Sequence, residues 1–168
     1  LMHSTSTGQA AHNANYDMTI LGNYGITPGK VDFDTMVAAH LLGEKALGLK
    51  ILAFTRLNLE MTPIDALLGS GRNQKTMAQV PIEEASKYAA SDADMTQRLR
   101  ELFEVELDRN NRLRNLFDNV EIPLIPVLMR IQRNGVSLDV KRLSDMSITL
   151  GERLQIVEDM VLDLSLIH

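Results

Sequence analysis

The chain has no cysteine and no tryptophan in 168 residues, and aromatic side chains make up only 4% of it. Without thiols there is neither a disulfide framework nor a thiolate metal site, a usage compatible with a reducing cytoplasm. With so few rings, a core has to be assembled from Leu, Ile, Val, Ala and Met, as in helical packing. No apolar run approaches the roughly 20 residues that span a bilayer, and the opening LMHSTSTGQAAH lacks the basic region and apolar core of a signal peptide. The expectation is a soluble chain that works in the cytoplasm, away from membranes. Positive charge is also short: the formal net charge is -5, which argues against a uniform basic field that coats nucleic acid. A nuclease stays open, because nucleases bind metal through carboxylates. A hydrophobic share of 45% and a charged share of 23% are ordinary for a globular chain, and the length allows one domain or pieces of two.

What is present centres on Ile82 to Leu107, IEEASKYAASDADMTQRLRELFEVEL. Ala85, Tyr88, Ala89, Met95, Leu99, Leu102, Phe103 and Leu107 recur at helical spacing, and Pro81 suits the first turn or the residue before it. This predicts one long helix. Tyr88 and Asp92 stand four apart, so a phenol and a carboxylate share one helical face. Asp94 points away from Asp92 and reads as structural.

Along the chain, residues 1–11 show no clear period and predict an irregular start. A short amphipathic helix follows through Ile20, Leu21 and Tyr24, capped by Asn13 or Asn15 and ending near Gly25. Asp17 falls in its first turn, and on the residues alone it reads as an acid that complements the helix dipole. Lys30 to Phe33 predicts a short strand ahead of a helix capped by Asp34 or Thr35. GLKILAFTRLN predicts a helix, and MTPIDALLG another, with Thr62 as cap, Pro63 in the first helical position and Gly69 as the stop. GSGRNQKT, with Arg72 and Lys75, is a basic loop without the spacing of a phosphate-binding P-loop. DRNNRLR, from Asp108 to Arg114, reads as a solvated face that breaks or continues the long helix. Pro123 and Pro126 frame a helix ending at Asn134-Gly135, and Val140 to Leu162 predicts a second long amphipathic helix. A domain boundary is expected near residues 115–122, and no internal repeat is visible.

These residues carry a resemblance. HNANYD, His12 to Asp17, resembles the second motif of a 3′-5′ exonuclease, and YAASDAD, Tyr88 to Asp94, resembles the third, Tyr-x-x-x-Asp. DFDTM at Asp32 to Met36 and NVEIPLIPVLMRIQRNGVSLD at Asn119 to Asp139 resemble the connecting stretches of the family A DNA polymerases, the bacterial polymerase I type. The resemblance covers nearly all of residues 10–160. It implies an α/β, RNase H-like exonuclease domain over residues 1–116, incomplete and mostly helical. Residues 117–163 would be helices leading into the polymerase domain and its thumb. It also implies two-metal phosphodiester hydrolysis with Mg2+ first and Mn2+ or Zn2+ as alternatives. Asp17 and Asp92 would each help to hold an ion, their carboxylates facing one cleft, and Tyr88 would orient the attacking water. Asn13 and His12 would lie near the single-stranded 3′ end of DNA, in a protein expected to be a monomer at the nucleoid.

The family's first motif, an Asp-x-Glu on the opening strand, is not in these residues, and neither are the polymerase catalytic residues. The expectation is therefore a fragment that performs neither reaction alone. LSLIH, Leu164 to His168, matches one reading frame of a transposon-derived sequencing adaptor and is expected to be a non-native tail. Two other readings stand beside this one. A stand-alone RNase H-like exonuclease would not need the segment after Asn119. A helical interaction module, favoured by periodicity alone, would make Tyr88 and Asp92 mere packing and surface residues.

Overall fold

In the computed structural model, which describes residues 8–26, 29–71 and 74–165, the first element is a strand. β1 (Gln9–Ala11) pairs in parallel with β2 (Val31–Asp34), with Ala10 opposite Phe33 and Ala11 opposite Asp34. The irregular start expected over residues 1–11 is corrected for residues 9–11. Three residues cannot display a period of two, and this strand forms because a distant segment offers it a ladder. Parallel pairing requires a crossover, which α1 (Ala14–Asn23) supplies.

Asn13 occupies the cap position of α1 at φ 68, in the left-handed region that Asn tolerates, but its side chain makes no capping bond. The bonds come from Asp34 instead. Its carboxylate accepts the backbone N–H of Asn13 at 3.2 Å and of Ala14 at 2.7 Å. The same carboxylate caps α2 (Thr35–Leu41) by accepting from Met36 at 2.8 Å and Val37 at 3.3 Å. Of the two caps expected for α2, Asp34 is the one used. One buried side chain thus ties two helix starts to the end of β2.

The long helix α5 (Ile82–Asp108) forms as the periodicity predicts, burying Met95, Thr96, Leu99, Phe103 and Leu107 in one stripe. Ala38 and Ala39 of α2 and Leu52 of α3 (Leu49–Leu57) are fully buried in the same core. Phe33 meets Phe117 with ring centroids 4.8 Å apart and planes tilted by 48°. Arg56 bridges Glu44 and Glu106 while its guanidinium stands 5.3 Å from the Phe103 ring centre. Ahead of Met95 no residue of α5 is buried. The half of the helix that carries Tyr88 and Asp92 therefore borders clefts, not core.

α4 (Ile64–Leu68) corrects a second expectation, because Pro63 stands before the helix with ψ 150 and no side chain caps it. Thr62 precedes a proline, whose ring favours extended backbone there, and so lies one residue too far out to cap. Gly69 ends the helix at φ 76, as expected. α5 breaks at Arg109, and Asn110 caps α6 (Asn111–Leu116) by accepting from the N–H of Arg112 and Leu113. A π turn over Phe117–Glu121 leads into α7 (Ile122–Asn134). Pro123 cannot donate to the carbonyl of Asn119 inside that turn, and its ring crowds the same carbonyl, which accounts for the wider turn.

Two compact units divide after Arg133. Residues 115–122, where the domain boundary is expected, pack within the first compact unit, where Phe117, Ile122 and Ile125 are buried. The second unit contains α8 (Val140–Ser165), whose apolar residues, among them Leu143, Leu150, Leu154 and Val157, are all exposed. Arg72 of the basic loop and residues 166–168 of the expected tail lie outside the described residues. Among the described residues no helix is long and apolar enough to cross a membrane.

Candidate functional site

α1 and α5 both face a cleft beyond the carboxyl end of β1. That cleft, of about 440 Å3, is lined by Ala10, Ala11, His12, Asp17, Leu49, Asp92, Ala93, Thr96 and Gln97. It brings together His12, Asp17 and Asp92, whereas Asn13 and Tyr88 are not among its lining residues. Tyr88 shares two adjoining clefts with Asp92, one of about 330 Å3 floored by Gly48, Leu49, Lys50 and Ile51. The other, about 300 Å3, reaches Met61 and Thr62. Asp92 is thus common to all three. The larger cleft of about 550 Å3 between α1 and α7 is lined by none of these residues.

His12 is held by Thr35. The Thr35 hydroxyl donates to the Ala11 carbonyl at 3.2 Å, so its 2.8 Å contact with His12 Nδ1 has the imidazole as donor. Nε2 is buried and meets no partner of good hydrogen-bonding geometry, although the Leu47 backbone lies close enough to act on the ring. Burial lowers the pKa of His12, against the pull of Asp34, the Leu47 backbone and Asp92. Asp92 Oδ1 is likewise buried without a partner. Burial raises the Asp92 pKa, opposed by Lys50 and then His12. Burial also raises Asp17, and Asp34 adds to the shift through like-charge repulsion. Asp94, by contrast, is exposed and bonded to Arg98 at 2.9 Å one turn on.

Two carboxylates raised by burial, one with an unpartnered oxygen, leave negative charge in the cleft that Lys50 offsets only in part. Oxygen donors of this kind match a hard divalent cation. Among the described residues, however, no group of three or more His, Asp or Glu side chains converges, so these residues supply part of a ligand set.

The shifts carry a consequence for stability. A folded-state pKa above the unfolded one means that the folded chain binds the proton more tightly, so stability is greatest below the unfolded value and falls as pH rises through the folded one. Asp92→Asn is therefore expected to raise the thermal midpoint at neutral pH in chelator, with the gain vanishing below the ordinary carboxylate value of 3.8. Melting curves of both proteins across pH check this, and a lower midpoint for Asp92→Asn at neutral pH contradicts it.

Two residues of the site were not singled out from the sequence. Lys50 donates from Nζ to Tyr88 Oη at 2.6 Å, and nothing local links positions 50 and 88. Asp34 was visible only as a helix cap, because its bonds to Asn13 and Ala14 depend on the pairing of β1 with β2.

Known proteins show the family to which this fold belongs. A family model described as 3′-5′ exonuclease, that of the family A DNA polymerases, matches residues 1–108. DNA polymerase I of Chloroflexus aurantiacus is 41% identical over 146 residues, covering 86% of this chain and 15% of that protein. DNA polymerase I of Pseudomonas aeruginosa is 34% identical over 166 residues, covering 94% and 18%. The chain thus spans less than a fifth of the length of these relatives. In fold it is similar to the POL domain of Pol1 from M. smegmatis in complex with DNA primer-template and dNTP, with a TM-score of 0.70 at 21% identity over 92% of this chain and 24% of that one. Brucella melitensis NrnC bound to pGG is similar over 80% of this chain and 62% of its own, with a TM-score of 0.63 at 22% identity. The family is in general metal-dependent, and its RNase H-like fold is the one expected from the motifs. With the family model covering everything from the first residue to the end of α5, the chain belongs to the 3′-5′ exonuclease family of the family A DNA polymerases.

Proposed function

We propose that this chain is the part of a family A DNA polymerase that carries the second and third exonuclease motifs and leads into the polymerase domain. The complete protein would trim mismatched 3′ ends and extend primers on a DNA template, as a monomer in the cytoplasm at the nucleoid. One observation carries the reading: Asp17 and Asp92, from helices distant in sequence, line one cleft in a chain of this family. Residues 1–116 would belong to the exonuclease domain and residues 117–163 to the start of the polymerase domain.

Asp17 and Asp92 would each contribute oxygen to one of two divalent ions, Mg2+ first and Mn2+ or Zn2+ as alternatives, with the remaining ligands coming from other residues. Such ions supply a Lewis acid and an acidified water. Asp92 suits this role because its unpartnered Oδ1 and raised pKa favour a cation as neighbour. Tyr88 would hold the attacking water through its phenol, one helical turn before Asp92. His12 and Asn13, at the start of α1, would face the single-stranded 3′ end. The similarity to NrnC keeps a stand-alone exonuclease as a second reading, against which stand α6, α7 and α8 beyond the family match.

The test uses the full-length protein and a single-stranded oligonucleotide labelled at its 5′ end. Stepwise shortening from the 3′ end in Mg2+, stopped by chelator and slowed on the order of 100-fold by Tyr88→Phe, is the expected result. No shortening, or shortening indifferent to Tyr88→Phe, overturns the reading.

A further inference from the structure

Lys50 stands in the first turn of α3, two residues after Gly48 at the cap position, and its charge acts on Asp92. Its ammonium lies 4.5 Å from the centre of the Tyr88 ring and donates to Tyr88 Oη at 2.6 Å. Lys50, Tyr88 and Asp92 line one cleft. An ammonium has three donors and no acceptor. The phenol oxygen must therefore accept from Lys50, and the phenol proton cannot be spent on that contact. Among the described residues no acceptor takes it.

Resting on the exonuclease reading above, we infer that Lys50 is a positioning residue for Tyr88, fixing the ring and committing its hydroxyl to donate into the cleft beside Asp92. At 2.6 Å from the oxygen and 4.5 Å from the ring centre, the ammonium stands beyond the hydroxyl and not over the ring face, so the hydrogen bond is what holds the phenol. The hydrogen bond orients the remaining lone pair and the O–H away from α3. A hydroxyl so constrained presents its proton to an oxygen in the cleft, whether of water or of a phosphodiester. The positive charge beside Asp92 also offsets part of what burial does to that carboxylate. A Tyr with no such neighbour would be free to accept from water as readily as to donate.

Lys50→Met removes the donor and keeps most of the apolar stem; Lys50→Arg keeps a donor that also stacks on rings. In the full-length protein, single-turnover trimming of a single-stranded 3′ end is expected to slow on the order of 10-fold in Lys50→Met. KM should stay near that of the parent, and Lys50→Arg should recover most of the rate. In a Tyr88→Phe background, Lys50→Met should cost nothing further, because the group it acts through is gone. Thermal midpoint and nucleotide addition report folding, and Lys50→Gln replaces the Met variant if that one does not fold. An unchanged rate, a loss confined to KM, or an equal additional loss in the Tyr88→Phe background overturns the inference. If Tyr88→Phe and Asp92→Ala are themselves without effect, the exonuclease reading fails instead. If both are crippling and Lys50→Met is silent, only the role of Lys50 falls.

Discussion

Asp34→Ala is expected to destabilise the first compact unit by about 3 kcal/mol, the largest stability loss of any single polar substitution described above. The side chain is 2% exposed and accepts four backbone N–H groups, from Asn13, Ala14, Met36 and Val37. Loss of one helix cap typically costs about 1 kcal/mol, and hydrogen bonds to a charged group are worth about 1.5 to 3 kcal/mol. Here one carboxylate serves the starts of two helices. Truncation leaves their donors buried with no water to take over. The same carboxylate also fixes where α1 begins relative to β2, so His12 and Asp17 should lose their placement with it. Asp34→Asn, which keeps one acceptor oxygen, should cost less than the Ala variant. Asp32→Ala is the comparison: its side chain is 38% exposed and pairs with Lys30 at 3.7 Å, so a change within about 0.5 kcal/mol is expected. Urea unfolding of the three variants decides the matter, and similar small losses for Asp34→Ala and Asp32→Ala would remove Asp34 from its place in this account.

Asp92→Ala should abolish trimming by the full-length protein, lowering its rate by more than about 1,000-fold, beyond the 10- to 100-fold typical of groups that only support a metal ligand. Nucleotide addition should persist, since no polymerase function is assigned to Asp92. The structure makes this a test of function and not of folding. Among the described residues the Asp92 side chain forms no hydrogen bond that would be lost, its Oδ1 is buried without a partner, and burial disfavours its charge. A residue retained for stability would show the reverse. Its removal would lower the thermal midpoint and impair both activities together. Asp17→Ala should act in the same direction, as the second carboxylate of the cleft. Trimming at parental rate in either variant, measured with Mg2+ on a single-stranded 3′ end, would take that residue out of the site.

Much of this protein is legible in its residues taken in order. The 3.6-residue period over 82–107 marks α5 to within a residue, because the stripe Met95, Leu99, Phe103 and Leu107 is a local regularity that packing then uses. Gly69 and Gly135 mark helix ends through positive φ values that side chains resist. The pairing of Tyr88 with Asp92 on one face follows from helical geometry alone. The order and spacing of the two motifs, together with the stretch from Asn119 to Asp139, indicated the family.

Other features had no local signal. β1 exists only in partnership with β2, the cap of α1 comes from Asp34 and not from Asn13 or Asn15, and Lys50 reaches Tyr88 across a gap of 38 residues. The compact units part after Arg133, and Phe117, Ile122 and Ile125 are buried in the core of the first unit. The sequence by itself determined which segments become helices and which residues share a face, since both are set by neighbours within a turn or two. Only the tertiary structure decided that Asp17 and Asp92 open onto one cleft. That depends on strand pairing and helix packing between segments whose association no nearest-neighbour rule encodes.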